Sequence, residues 1–187
     1  MQAAAKTLRL VTEPPSELEI LFQAHHERVF RAAHRITGSP ADAEDVLQTV
    51  FLRLIKGGET YDLSENPEAY LSRAAINASL DLVRSRGRAK SVGLNDVDAE
   101  GLESKFQSPE AEHVDRELRT LIRQAVANLG TTAGEMFVLR YYEGYDNQEI
   151  AKMLDTSQMV VGVVLHRART KLRKEIGRYL EKHHEKQ

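Results

Sequence analysis

Serine or asparagine stands directly before proline at Ser39-Pro40, Asn66-Pro67 and Ser108-Pro109, and apolar residues at helical spacing follow. Such pairs mark helix starts. The side chain caps free backbone N–H groups, and proline at the first helical position needs no hydrogen bond of its own. Downstream, Val46, Leu47, Val50, Phe51, Leu54 and Ile55 recur at three and four residues, which makes one apolar stripe. Leu18, Leu21, Phe22, Val29, Ala33 and Ile36 do so less strictly. Tyr70, Leu71, Ala74, Ala75, Ala78 and Leu82 line a third helix, and Leu118, Leu121, Ile122, Ala125 and Leu129 a fourth. Thr132 with Glu135, and Asp146 with Glu149, have capping-box spacing. No alternating strand pattern of useful length competes. The chain is predicted to be all-α, with helices near 16–37, 40–56, 67–87, 109–129, 132–143, 147–154 and 157–181.

The stretch 88–108 contains Gly, Ser and Asp, is acidic and lacks a helical stripe, so it reads as a linker. The expected organisation is a tail over 1–15, a three-helix domain over 16–90, a linker over 91–108 and a four-helix domain over 109–183. Net charge is only −2, but its distribution is uneven. Arg84, Arg86, Arg88 and Lys90 form one basic cluster; Arg167, Arg169, Lys171, Arg173, Lys174 and Arg178 form another. Each is either a solvated face or a surface for an anionic partner.

From Asn147 to Leu165 the pattern is helix, tight turn, helix. Ile150, Ala151 and Leu154 give the first helix an inner face, Asp155-Thr156-Ser157 makes the turn, and Val161 and Leu165 return to the core. Aspartate tolerates the left-handed backbone such a turn needs. The arrangement is either a packed helical hairpin or a DNA reader. In the second case Ser157, Gln158 and Met159 face base edges, and His166, Arg167, Arg169 and Lys171 run along phosphates.

Two segments together resemble the extracytoplasmic-function (ECF) sigma factors of the sigma-70 family. Residues 41–54, Ala-Asp-Ala-Glu-Asp-Val-Leu-Gln-Thr-Val-Phe-Leu-Arg-Leu, with Tyr70-Leu71, Asn77, Asp81 and Arg84, are similar to one family signature. Leu139 to Gly144, Glu149 to Leu154, Ser157 and Leu165 to Leu172 are similar to the other. The resemblance covers roughly 16–88 and 112–176. It implies a sigma-2-like domain followed by a sigma-4-like one, core RNA polymerase and promoter DNA as partners, and an anti-sigma factor or other protein as a regulator. Polymerase contact is implied for Asp42, Glu44, Asp45, Gln48, Phe51 and Arg53. Opening and holding the -10 element is implied for Tyr61, Asn77, Asp81, Arg84, Arg86 and Arg88. Melted bases need stacking surfaces and their backbones need cations, which Tyr61 and the arginines supply. Asn77 and Asp81, four apart on one helix face, either read a flipped base or bond within the domain. Contact with the -35 element is implied for Arg140 and Gln148 besides Ser157, Gln158, Met159, His166, Arg167, Arg169 and Lys171.

The second helix of the helix-turn-helix departs from the family. Met159-Val160-Val161-Gly162-Val163-Val164 stands where a run with hydroxyls and cations is usual. Either -35 reading is weak or unusual, or the apolar patch binds a protein, or the chain is a sigma mimic that titrates an anti-sigma factor. A stand-alone helix-turn-helix regulator is a further alternative, one that leaves the first domain without a task. No nucleophile, paired-acid or phosphate-loop arrangement points to an enzyme. The seven histidines form no metal-ligand spacing, and no cofactor is expected. Cysteine is absent and no apolar run nears the ~20 residues of a membrane span. The first fifteen residues lack the apolar core of a signal peptide, so the expected compartment is the cytoplasm.

Overall fold

The computed structural model of the chain describes residues 16–57, 66–91 and 109–184. Among these residues there are seven helices and no strand: α1 (Glu17–Thr37), α2 (Pro40–Gly57), α3 (Pro67–Ser91), α4 (Pro109–Ala127), α5 (Thr131–Tyr141), α6 (Asn147–Met153) and α7 (Gln158–His184). The expected tail, the loop carrying Tyr61, and nearly all of the linker lie outside the described residues.

The sequence signals for helix starts act as expected at several sites. The Ser39 hydroxyl accepts from Asp42 N–H at 3.3 Å, and Asn66 Oδ1 accepts from Ala69 N–H at 2.9 Å. At α6 the capping box is complete: Asp146 accepts from Gln148 and Glu149 N–H, both at 2.8 Å, and Asp146 N–H donates to Glu149 Oε2 at 2.7 Å. Gly38 ends α1 with φ +70°, and its N–H donates to His34 O at 2.8 Å; the left-handed backbone suits glycine there.

The second expected capping box does not form. Helix α5 begins at Thr131 after Gly130, with no side-chain cap, and Glu135 turns away from the helix start. Its carboxylate is buried and accepts from Arg73 Nε at 2.8 Å. A guanidinium partner is worth more to a buried carboxylate than a solvent-exposed backbone N–H would be.

Two apolar clusters organise the fold. The first joins Val29, Ala33, Val46, Val50, Phe51, Leu54, Leu71 and Ala75 from α1, α2 and α3. The second gathers Val126, Met136, Leu139, Ile150, Val161 and Leu165 from α4 to α7, and it also takes in Ile36, Ile76, Leu80 and Val83. Helix α3 therefore contributes one face to each cluster, and the two halves pack together along it.

Candidate nucleic-acid and polymerase interface

On α2 a stripe of residues points outward. Asp45, Gln48, Leu52 and Ile55, spaced three, four and three apart, are all exposed, as are Glu44 and Arg53. Beside them, between α1 and α2, lies a groove of about 410 Å³ lined by Leu18, Phe22, Phe51, Leu52 and Ile55, with Gln48 at its edge. Ile55 is 57% exposed, Leu52 49% and Phe22 40%. Single exposed apolar residues are ordinary, but a contiguous group bordered by polar side chains is the composition of a protein-binding surface.

Asp42 and Phe51 are placed differently from the expectation for this helix. Phe51 is buried in the N-terminal core, where its ring meets Phe22 edge-on at 4.9 Å. Asp42 is 5% exposed and ion-paired with Arg86 of α3. Burial pushes the Asp42 carboxyl above its usual value near 3.8, and the neighbouring guanidinium opposes that rise. Arg86, expected at the -10 element, is thus tied to α2 in this arrangement. Arg86→Ala leaves a buried carboxylate without its cation. The expected loss is about 1–2 kcal/mol at neutral pH, at the low end for buried pairs because the guanidinium is half exposed. A raised carboxyl takes up a proton more readily folded than unfolded. The penalty should therefore shrink as pH falls from neutral through the raised Asp42 value. Urea melts of both proteins across that range read it directly.

Asn77, Asp81, Arg84 and Arg88 lie on one face of α3. Arg84 Nε donates to Ala127 O at 3.0 Å, and its Nη1 pairs with Asp81 Oδ1 at 3.1 Å. Asn77 Oδ1 and Arg84 Nη2 are buried without a hydrogen-bond partner. Asp81 and Arg88 are exposed. Tyr70 is half-buried against the N-terminal cluster.

The C-terminal half contains the helix-turn-helix. Asp155 makes the turn with φ +48°, the left-handed value expected of it. Ser157 Oγ then accepts from Val160 N–H at 3.2 Å and starts α7. Val161, Leu165, Ala168 and Leu172 are buried, so the opposite face carries Gln158, Met159, Val160, Val163, His166, Arg167 and Arg169 into solvent. Met159 is 80% exposed. Gln148 is exposed on α6. Arg140 is exposed and donates to Tyr145 O at 3.0 Å; Lys171 Nζ donates to Asn128 O at 2.7 Å. A Cβ placed at Gly162 would lie 3.9 Å from its nearest neighbour, Asn147 Nδ2, which is ordinary contact. Gly162→Ala should therefore stabilise the chain by about 0.5–1 kcal/mol through helix propensity. A calorimetric melting point about 2–3 °C higher would show it.

The side chains that join the two halves, Arg28, Arg35, Arg73, Gln124 and Glu135, were not expected to do so from their sequence neighbours. One signal was available. Ile76, Leu80 and Val83 form a second apolar stripe on α3, beside the one built from Leu71, Ala75 and Ala78. Among the described residues no group of three or more His, Cys, Asp and Glu side chains is placed to hold a metal, and no helix is long and apolar enough to cross a membrane.

The sigma-70 region 2 family matches residues 21–89, and the sigma-70 region 4 family matches residues 119–172. The RNA polymerase sigma-E factor of Streptomyces coelicolor is 31% identical over 161 residues, covering 86% of each protein. The chain belongs to the ECF sigma factors of the sigma-70 family. The ECF RNA polymerase sigma factor SigE of Mycolicibacterium smegmatis is 32% identical over 163 residues; 87% of this chain is covered, and it spans 61% of that relative's length. A solved structure of the sigma factor RpoE with the anti-sigma factor NepR from Bartonella quintana aligns with 83% of the chain and 94% of its own, at 16% identity and a TM-score of 0.49. The two sigma-70 regions fall on the two halves described above. Region 2 contains the α2 stripe and the α3 arginines, and region 4 contains the helix-turn-helix.

Proposed function

We propose that this ECF sigma factor binds core RNA polymerase through the outward stripe of α2 and directs it to promoters. Its region 2 half, expected over 16–90, opens the -10 element, and its region 4 half, over 109–183, contacts the -35 element. The observation that carries this reading is the α2 stripe. Leu52 and Ile55 stay exposed although the apolar core beneath them is complete, so a surface of another protein accounts for them better than the chain's own packing does. Asp45, Gln48, Glu44 and Arg53 around them supply the polar rim that orients a charged partner. Asp42 and Phe51 support that face from beneath.

On the DNA side, Arg167 and Arg169 lie on the exposed face of α7, within reach of phosphates, with Ser157, Gln158 and Met159 at the end that enters a groove. Val160 and Val163 offer apolar contact where the family usually has polar groups, which suits thymine methyls. The action throughout is binding, in the cytoplasm where the polymerase works. A second reading draws on the same patch: Met159, Val160 and Val163 form an exposed apolar strip that suits a regulatory protein such as an anti-sigma factor.

The test is a titration of fluorescently labelled protein with core polymerase, followed by promoter DNA. The expected result is tight binding to polymerase and DNA capture by the assembled complex only. The chain's net charge of −2 predicts weak binding of the free protein to duplex DNA. Tight, salt-dependent duplex binding without polymerase would favour a stand-alone regulator. Absence of polymerase binding would overturn the reading.

A further inference from the structure

The outer side of α7 changes character along its length. Val161, Leu165, Ala168 and Leu172, spaced four, three and four apart, are buried and hold the helix against the rest of the C-terminal half. Met159, Val163, His166 and Thr170 have the same spacing on the opposite face and are exposed, with Val160 and Arg167 alongside them. The start of this face is apolar: Met159 is 80% exposed, and Val160 and Val163 are 46% exposed each. Cations follow. From Gln158 to Lys174 there is no acid, against Arg167, Arg169, Lys171, Arg173 and Lys174. Lys171 Nζ donates to Asn128 O, while Arg167 and Arg169 stay exposed and hold no ion pair among the described residues.

Building on the sigma-factor reading, we propose that the apolar start of α7 selects thymine: Met159, Val160 and Val163 pack on the C5-methyl groups of two or three consecutive T·A pairs in the major groove of the -35 element. Thymine alone among the four bases presents a methyl group there; the other edges present hydrogen-bond donors and acceptors. Valine has no group that bonds to those edges, so the methyl is what it gains by covering. Position supports the assignment. The left-handed turn at Asp155 and the cap at Ser157 place these residues at the N-terminal end of the second helix, the end that meets base edges. Reach sets the number of pairs. Met159 to Val163 is about 6 Å of helix at 1.5 Å per residue, or about two steps of 3.4 Å along one strand. Gln158, exposed at the same end, suits a bidentate contact with adenine N6 and N7, so it favours the same pairs from the other strand. No arginine or lysine stands between Ser157 and Leu165 to take guanine O6 and N7. The acid-free basic run that follows fits phosphates on either side of the groove, and that charge assigns the apolar strip to DNA.

The test uses the full chain assembled with core polymerase, and a promoter fragment recovered from run-off transcription on pooled genomic DNA. Thymines of the -35 segment are replaced by deoxyuridine, which removes each methyl and keeps base pairing and every hydrogen-bonding group. Covering one methyl is worth about fourfold in affinity. Losing two or three should therefore weaken binding of the assembled complex about tenfold or more. The same replacement between the two promoter elements should change it less than about twofold. Val163→Ala trims an exposed side chain and spares the core. It should weaken binding to the thymine fragment about threefold and leave binding to the uracil fragment unchanged, because the methyl that Val163 covers is already gone. An effect on helix structure alone would weaken both alike. Equal affinity for the thymine and uracil fragments would overturn the proposal and leave the strip to a protein partner. Equal losses from Val163→Ala on both fragments would overturn it as well. Failure of the sigma-factor reading is visible separately, as polymerase and chain that together give no new start sites, and this proposal falls with it.

Discussion

Ile55→Glu is expected to weaken binding to core RNA polymerase about a hundredfold while leaving the fold intact. Ile55 is more than half exposed and lies outside both apolar clusters, so the folded chain loses little by the change. In a complex it would sit at the C-terminal end of the stripe, beside Leu52 and Phe22 of the groove. A carboxylate there must lose its water without gaining a partner. Burying a charge in place of an apolar anchor costs about 2 kcal/mol or more at protein interfaces, and a hundredfold is about 2.7 kcal/mol. Fluorescence anisotropy against core polymerase measures it, with a thermal melt as control for folding. Unchanged affinity together with an unchanged melt would remove the α2 stripe from the interface.

Leu139→Ala should have the largest effect on stability. The side chain is fully buried in the C-terminal cluster, together with Ile150 of α6, Val161 and Leu165 of α7, and Leu80 of α3. The cost is expected to be about 3–4 kcal/mol, from lost transfer energy and the cavity left behind. That is a large share of the 5–15 kcal/mol typical of a domain and lowers the melting point by about 10 °C. Because the cluster it belongs to takes in residues of both halves, the loss should appear in a single unfolding transition. Two separated transitions, with only one shifted, would mean that the halves unfold independently.

Most of the helices were legible because their signals are local. Pro40, Pro67, Asn66, Ser39 and the Asp146–Glu149 box act within one turn, and the caps at Ser39, Asn66 and Asp146 form as the residues suggest. Asp155 likewise declares its left-handed turn by residue type. Glu135 shows where local reasoning stops. Its spacing from Thr132 fits a capping box, yet a guanidinium 62 residues away in sequence offers a buried carboxylate a stronger bond. Asp42 follows the same logic. An acid in the first turn of a helix is explained locally by the dipole, and nothing in the neighbouring sequence discloses that Arg86 reaches it. The seam between the halves was readable in part. Ile76, Leu80 and Val83 have helical spacing, and a helix apolar on two faces must be covered on both. What the sequence does not indicate is which surface covers the second face, because that depends on contacts about 40 to 80 residues apart.

The central claim is that the chain turns core polymerase into a promoter-specific enzyme. The most direct measurement is reconstituted run-off transcription. Purified protein is added to core polymerase on a pool of genomic promoter fragments, and the transcripts are sequenced. The predicted result is a discrete set of new start sites with a shared -10 sequence upstream. An accompanying -35 motif would show whether Met159, Val160 and Val163 still read DNA. No new start sites, from a protein that binds core polymerase and melts cooperatively, would contradict the account.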